Sequence, residues 1–258
     1  DCLAARLADV VTVNGRPLVA DYAHWALYPE RRIAFVPNGL NPEQILPATA
    51  ETRAWVRAEL GLATETPVVG TIGRLAPEKD HAVFLKIISR LRHDFPCLHA
   101  LIVGDGALRD SLERQADDLG LADIVHFVGE HKESRRFIAG LDLFLLTSRI
   151  EGFPNVLLEA AISGVPCVST DVGAVQDILN DSGSIFPTGD VETGYRKAKD
   201  FLMKPEFAHA RAGQVQRWVA RHFTAEKMAS HWLSLYESGS PLQGYAYETR
   251  SDPMALLP

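Results

Sequence analysis

Residues 149–164 combine two carboxylates with the start of a predicted helix. In the segment RIEGFPNVLLEAAISG, Glu151 lies in a loop, and Glu159 is the only charge in the helix that follows. Pro154 suits a first helical turn because its missing N–H would be unpaired there, and Gly164 predicts the helix end. The free N–H groups and the positive dipole end of such a helix favour an anion such as phosphate. We therefore expect a ligand site in this segment.

The polar residues of this helix, Asn155, Glu159 and Ser163, are spaced four apart on an otherwise apolar helix. They form one narrow stripe. The stripe is interpreted either as a thin solvated edge or as the wall of a cleft that holds one ligand between two carboxylates and the helix N-terminus. The pattern alone leaves both interpretations open.

A second candidate loop follows the predicted strand 67–72. Arg74 and Lys79 stand five residues apart after Gly73, which permits a close approach of the backbone. Two such cations could bind a diphosphate from two sides. The alternative is an ordinary solvated loop in which Glu78 and Asp80 neutralise them.

A third loop, Gly104-Asp105-Gly106, lacks the third glycine of a dinucleotide fingerprint, because Arg109 occupies that place. A dehydrogenase is therefore disfavoured. The glycines predict a tight turn, and Asp105 is expected to cap the helix that follows.

Composition limits the function classes. The 258 residues are 47% apolar and carry a net charge of −7, which argues against general nucleic-acid binding. The three cysteines are too scattered for a disulfide framework or a cysteine zinc site, and Cys97 and Cys167 are expected to be buried. No metal-binding constellation is predicted, and His81 and His131 are expected at the surface or in caps. No apolar run approaches the roughly 20 residues of a membrane span.

The pattern of apolar runs predicts the fold. Runs such as Leu-Ile-Val and Leu-Phe-Leu-Leu are continuously apolar, as expected for strands buried on both faces of a parallel sheet. Since helical segments separate them, we predict a doubly wound α/β domain, with ligands beyond the carboxyl ends of the strands. The predicted strands are 9–13, 33–36, 67–72, 98–103, 124–128, 141–146, 165–169 and 184–186. The predicted helices are 1–7, 16–28, 53–60, 81–92, one ending at 119, 134–139, 154–163, 174–180, 192–203, 206–222 and 225–236.

An ordered series of motifs resembles the donor-binding half of a family 4 retaining glycosyltransferase of the "glycosyl transferases group 1" type. The motifs are VPNG at 36–39, GRLxxEK at 73–79, GDG at 104–106, FVG at 127–129, EGFPNVLLEA at 151–160 and GVPCVSTDVG at 164–173. The resemblance runs from about residue 33 to about residue 190. It implies the GT-B architecture, in which two Rossmann-like domains face each other across a cleft. Residues 1–32 would then be a remnant of the N-terminal acceptor domain, 33–237 the donor-binding domain and 238–258 a tail.

The resemblance also implies the site residues. Arg74 and Lys79, after Gly73, would bind the donor diphosphate, Glu159 would hold the ribose, and Glu151 would lie beside the transferred sugar. Glu151, Arg74 and Lys79 are thus the predicted catalytic residues. Main chain at Gly152, Phe153, Pro154 and Asn155 would line the sugar-phosphate pocket, and Val128 and Gly129 would lie against the base. Residues 173–184 depart from the family pattern, and no role is assigned to them.

The implied activity is metal-independent and cofactor-free retaining transfer of a hexose from a nucleotide-sugar, expected to be a UDP-sugar. The acceptor would be a glycan or a lipid-linked acceptor of polysaccharide biosynthesis, bound through the N-terminal domain. The expected place is the cytoplasm, with peripheral association at the inner face of the membrane. This polypeptide alone is expected to transfer nothing, since donor and acceptor need both domains. The alternatives are a GT-B-like nucleotide-sugar epimerase and a noncatalytic nucleotide-binding α/β module.

Overall fold

The computed structural model describes residues 7–238, apart from the side chain of Ser182. The strands are β1 (Val11–Val13), β2 (Ile33–Phe35), β3 (Val68–Ile72), β4 (His99–Val103), β5 (Val125–Gly129), β6 (Leu143–Leu146), β7 (Cys167–Thr170) and β8 (Ile185–Phe186). The helices are α1 (Pro17–Ala26), α2 (Ala50–Glu59), α3 (His81–Asp94), α4 (Arg109–Asp118), α5 (Ser134–Ala139), α6 (Asn155–Ser163), α7 (Val175–Leu179), α8 (Val191–Met203), α9 (Pro205–His222) and α10 (Ala225–Ser238). Only residue 7 of the helix predicted at 1–7 is among the described residues. Only residue 238 of the tail predicted at 238–258 is among them.

The main sheet confirms the predicted doubly wound α/β fold. Its six strands are all parallel in the order β5-β4-β3-β6-β7-β8. In this order the chain winds outwards from β3 in one direction and from β6 in the other. Ligands of such sheets bind where the winding reverses, beyond the carboxyl ends of the two central strands. Separately, β1 and β2 form a two-stranded parallel sheet.

Burial on both faces explains the continuous apolar strands. In β3, Val68 belongs to the core cluster that includes Leu157 of α6, whereas its neighbour Val69 belongs to the cluster that includes Phe84 of α3. Successive side chains of a strand point to opposite faces, so both faces of β3 need apolar residues. Helices α6 and α3 therefore begin at the same edge of the sheet but on opposite faces.

A buried ion pair fixes α2 to the sheet. The Arg57 side chain is 1% exposed and pairs with Asp142, which also accepts a hydrogen bond from the backbone N–H of Val68 at 2.7 Å. Burial lowers the pKa of Arg57, and Asp142 opposes this shift. Arg53 reaches the second carboxylate oxygen of Asp142 at 2.6 Å.

Two details differ from the sequence predictions. Cys167 is buried as expected, but Cys97 is exposed, because it lies in the connection between α3 and β4 rather than in the strand. The element bounds also shift by one to three residues, most often because a predicted strand begins earlier than the observed one. Among the described residues, no helix is both long and apolar enough to cross a membrane.

Candidate functional site

The loops after β3 and β6 lie side by side at the reversal point of the sheet. The backbone N–H of Arg149 donates to the carbonyl of Glu78 at 2.8 Å. The hydroxyl of Thr147 contacts the carbonyls of Lys79 and Asp80 at 3.3 and 3.1 Å. The two predicted site loops are thus joined by hydrogen bonds at the edge where a doubly wound sheet binds its ligand.

Lys79 and Glu151 meet between these loops. The Lys79 ammonium lies 2.6 Å from Glu151 Oε1, and the hydroxyl of Ser148 donates to the same oxygen at 2.7 Å. The Glu151 side chain is 9% exposed and that of Lys79 is 23% exposed. The carboxylate is therefore held in place, while the cation stays accessible to a ligand.

Arg74 lies on the outer side of its loop. Its guanidinium is 72% exposed and pairs with Glu78 of the same loop. Hydrogen bonds from the backbone N–H of Glu78 and from Arg74 lower the pKa of the Glu78 carboxyl. Neutralisation by Glu78, which the sequence left open, is thus present. An exposed pair of this kind has little strength and can exchange its partner.

Helix α6 begins in this crevice. Its N-cap is Pro154, which provides no capping side chain. The first helical residue is Asn155, one residue later than the sequence predicts. Asn155 follows, and its side-chain oxygen accepts a hydrogen bond from the Asn38 amide at 2.8 Å. Phe153 packs inward against Phe223, with ring centroids 5.5 Å apart. An N-terminus without a capping side chain leaves backbone N–H groups for an anion.

The polar stripe of α6 is only partly exposed. Asn155 is exposed, whereas the Glu159 side chain is only 18% exposed. The Glu159 carboxylate forms an ion pair with Arg135 of α5 at 3.1 Å. Ser163 is 3% exposed, so the accessible part of the stripe stops before the end of the helix. The helix ends at Gly164, whose φ of 81° suits glycine.

Val128 and Gly129 end β5 beside the β4 loop. The carbonyl of Gly129 accepts a hydrogen bond from Gly104 at 2.8 Å. Gly104 has a φ of 136°, and a Cβ there would lie 2.0 Å from the carbonyl oxygen of Gly73. The glycines therefore allow the loops after β3, β4 and β5 to pack against one another.

Two expectations around these loops are wrong. The α4 N-cap is Leu108, while Asp105 accepts a hydrogen bond from the adjacent backbone N–H of Gly106 instead of capping the helix. His81 is 2% exposed rather than at the surface, and its Nδ1 has no hydrogen-bond partner among the described residues. Burial lowers the pKa of His81 to about 4.

The structure adds contacts that the sequence reasoning missed. Ser148 holds Glu151, Arg135 holds Glu159, and Asn38 holds Asn155. Asn38 lies in the VPNG motif, which carried the resemblance without a residue role. Ser148 and Arg135 form no recognisable pattern with their partners, which lie on other elements or across a turn.

Two glycines pack closely against the loop that contains Glu151 and Gly152. A Cβ on Gly15 would lie 2.6 Å from the carbonyl oxygen of Gly152, and a Cβ on Gly173 would lie 2.4 Å from the carbonyl oxygens of Glu151 and Gly152. The backbone N–H of Ala174 donates to Gly152 at 2.9 Å. These contacts fix the backbone immediately after Glu151.

Together these residues make a crevice suited to an anionic ligand. It has an accessible ammonium, an exposed guanidinium, a helix N-terminus and two carboxylates in defined positions. Cations and a helix N-terminus favour phosphate groups, while carboxylates accept hydrogen bonds from hydroxyl groups. No group of three potential metal ligands occurs within residues 7–238.

Similar proteins were found by sequence and by structure. The chain is 25% identical over 231 residues to the Vi polysaccharide biosynthesis protein VipC/TviE of Salmonella typhi, covering 87% of the chain and 40% of the relative. It is 29% identical to the lipopolysaccharide core biosynthesis mannosyltransferase LpsB of Rhizobium meliloti, covering 92% of the chain and 67% of the relative. The structure of Anabaena Alr3699/HepE in complex with UDP and glucose matches with a TM-score of 0.84 and 22% identity, covering 92% of this chain and 65% of that one.

These findings confirm the predicted fold class, the Rossmann-like domain of a GT-B glycosyltransferase. The chain spans 40% to 67% of the length of the two relatives named above. The family model described as "Glycosyl transferases group 1" matches residues 66–204, which is more than half of the chain. The chain therefore belongs to the group 1 glycosyltransferase family.

Proposed function

We propose that this chain is the donor-binding part of a retaining glycosyltransferase that uses a nucleotide-sugar, with UDP as the nucleotide. The observation that carries the proposal is the Lys79–Glu151 pair beside the uncapped N-terminus of α6, at the reversal point of the sheet. UDP is favoured because the matching HepE structure contains UDP and glucose. None of the relatives and structures named above supports an epimerase or a noncatalytic module.

In this proposal the donor diphosphate binds Lys79 and Arg74, together with the first turn of α6. Lys79 leaves Glu151, and Arg74 leaves Glu78, to reach the phosphates. Glu159 accepts hydrogen bonds from the ribose hydroxyls, and Val128 and Gly129 lie against the base. Main chain at 152–155 lines the sugar-phosphate pocket, and Gly73 allows the phosphates to approach.

The proposed reaction breaks the bond between the anomeric carbon and the phosphate oxygen. It forms a bond from that carbon to an acceptor hydroxyl on the same face of the sugar. As the bond breaks, its electron pair stays on the departing phosphate oxygen and negative charge develops on the diphosphate. The hydroxyl proton of the acceptor then passes to that oxygen. Lys79, Arg74 and the α6 dipole stabilise this charge, which is the role that a divalent metal ion has in other transferases. Glu151, beside the sugar, orients it. We therefore propose metal-independent transfer.

The acceptor is proposed to be a glycan or a lipid-linked acceptor of polysaccharide biosynthesis. The two relatives named above act in polysaccharide and lipopolysaccharide core biosynthesis, according to their names. Acceptor binding is assigned to the part of such proteins that the match does not cover. Cytoplasmic location, with peripheral association at the inner face of the membrane, belongs to the same proposal.

Calorimetric titration of the chain with UDP, GDP and ADP tests the donor site, first without metal and then with Mg²⁺. We expect UDP to bind best, with the same affinity in both conditions. Arg74→Ala should weaken UDP, because it removes a phosphate contact. The matched control is Arg114→Ala, which removes an exposed arginine on α4, outside the proposed site. It should leave the affinity for UDP unchanged.

Three outcomes would contradict parts of the proposal. Absence of binding by all three nucleotides would contradict a donor site in this chain. Tighter binding of GDP or ADP would reject UDP as the nucleotide. Binding that requires Mg²⁺ would reject the metal-independent mechanism.

A further inference from the structure

A second cavity lies beside helix α9. It has a volume of about 610 Å³ and lies between helix α9, the segment from the end of β7 to β8, and Arg16, the N-cap residue of α1. None of the residues proposed for donor binding lines it. Its wall includes the three arginines of α9, Arg211, Arg217 and Arg221.

Two of these three arginines have no acidic partner in the described part of the chain. Arg211 donates to Asp181 through a terminal nitrogen, but its Nε is buried and has no hydrogen-bond partner within the described part of the chain. Arg217 and Arg221 are exposed, and neither forms an ion pair with a carboxylate of residues 7–238. Exposed guanidinium groups without a carboxylate partner can bind a phosphate or carboxylate group through their forked donors. The arginines therefore point to an anionic ligand.

Other polar side chains of the wall suit hydroxyl groups. Asp171, which accepts hydrogen bonds from Gln176 at 2.9 and 3.0 Å, keeps free lone pairs for a ligand donor. Gln214 and Asn180 add side-chain amides. The Trp218 ring is fixed by its indole N–H, which donates to the carbonyl of Asp177 at 2.9 Å. Acceptors and amides beside an aromatic surface match a ligand with hydroxyl groups and an apolar face.

We propose that this cavity binds a carbohydrate that carries one phosphate or carboxylate group. The arginines bind the anion through their forked donors, while Asp171 and the amides bind the hydroxyl groups. The cavity volume falls within the roughly 300–1,000 Å³ that is typical of small-molecule sites. A lone phosphate would fill only part of this volume. The inference does not depend on the donor assignment, since the two sites share no residue.

The test is calorimetric titration of the chain with glucose 6-phosphate, glucuronate, glucose and inorganic phosphate. We expect glucose 6-phosphate or glucuronate to bind at least tenfold more tightly than glucose or phosphate alone, and the better of the two identifies the anion. The double variant Arg217→Gln/Arg221→Gln should weaken that binding at least tenfold. Both side chains are exposed, so the variant should fold normally, which its circular dichroism and Tm will check.

Arg114→Gln supplies the matched control, because it removes an exposed arginine from α4, next to the other edge of the sheet. It should leave all four titrations unchanged. The proposal is overturned if neither acidic sugar binds, or if inorganic phosphate binds as tightly as glucose 6-phosphate. It is also overturned if the double variant binds the acidic sugar as well as the unchanged chain.

Discussion

The Lys79 ammonium lies 2.6 Å from Oε1 of Glu151, a residue 72 positions further along the chain. The same carboxylate oxygen accepts the hydroxyl of Ser148. A donor phosphate must therefore compete with Glu151 for Lys79. Because residues in contact are energetically coupled, the two should act on a ligand as a pair.

Lys79→Ala should weaken UDP about 10- to 100-fold, because a charge-assisted hydrogen bond contributes about 1.5–3 kcal/mol. Uridine, which has no phosphate, should bind almost as it does to the unchanged chain. Calorimetric titration of both ligands measures the difference. The control is Lys86→Ala, an exposed lysine of α3. Equal losses for UDP and uridine would refute a phosphate contact.

Glu159→Ala should remove discrimination between UDP and 2′-deoxy-UDP. If the carboxylate holds the ribose hydroxyls, the unchanged chain should bind UDP roughly tenfold more tightly, since one hydrogen bond to a charged group is lost in the analogue. Competition titrations with the two nucleotides give the ratio. Glu113→Ala on α4 is the control. A chain that never prefers UDP over the deoxy analogue would reject the ribose role.

The local patterns of apolar residues in the sequence predict most of the strands and helices of the fold. The runs at β4 and β6 predicted buried parallel strands because a strand covered on both faces must be apolar throughout. His81 was misplaced, because a polar residue at the start of α3 was expected to face water, whereas tertiary packing buries it. The prediction for Asp105 is wrong because its carboxylate accepts a hydrogen bond from the adjacent backbone N–H of Gly106, and Leu108 is the N-cap of α4 instead.

The sequence selects candidate site residues, whose roles stay predictions, but it does not indicate their partners. The contact of Lys79 with Glu151 depends on how two loops that are distant in the sequence meet, and the contact of Glu159 with Arg135 likewise joins separate elements. The contact of Ser148 with Glu151 lies within one loop and depends on the conformation of that loop. Sequence spacing is informative within one helix or strand and says little across the sheet. The arginines of α9 were missed for the same reason, since their cavity exists only when α9 packs beside the β7–β8 segment.

Asp142→Asn should lower the free energy of unfolding by about 3–5 kcal/mol, because it leaves the buried Arg57 guanidinium without its counter-charge. Urea unfolding at pH 7 measures the loss. The same change at Asp21, which is exposed on α1, should alter stability by less than about 0.5 kcal/mol. A similar small effect at both positions would mean that the Arg57–Asp142 pair contributes little.

His81 should make the fold less stable in mild acid. Its pKa is about 4 in the folded chain, below the usual value of 6.5, so the unfolded chain binds the proton more readily. The neutral ring is favoured by folding, and stability therefore falls as the pH drops from 6.5 towards 4. Between pH 7 and pH 5 this group should account for roughly 2 kcal/mol.

The measurement is urea unfolding of the unchanged chain and of His81→Phe at pH 7 and pH 5. Phenylalanine cannot be protonated, so the variant should lose less stability over this interval. Comparison of the two proteins cancels the contributions of the other histidines. Equal losses would mean that His81 does not control this part of the pH dependence.

Gly173→Ala should weaken UDP binding as well as the fold. Gly173 has a φ of 51°, and a Cβ there would lie 2.4 Å from the carbonyl oxygens of Glu151 and Gly152. Gly61 is the matched control, with a φ of 66° and nothing within 4 Å of the added Cβ. Both alanines should destabilise the chain by about 1–2 kcal/mol through the left-handed backbone alone. Only Gly173→Ala should also displace the Glu151 loop and weaken UDP in calorimetric titration. Equal UDP affinities in the two variants would show that the backbone after Glu151 does not need this contact to bind the donor.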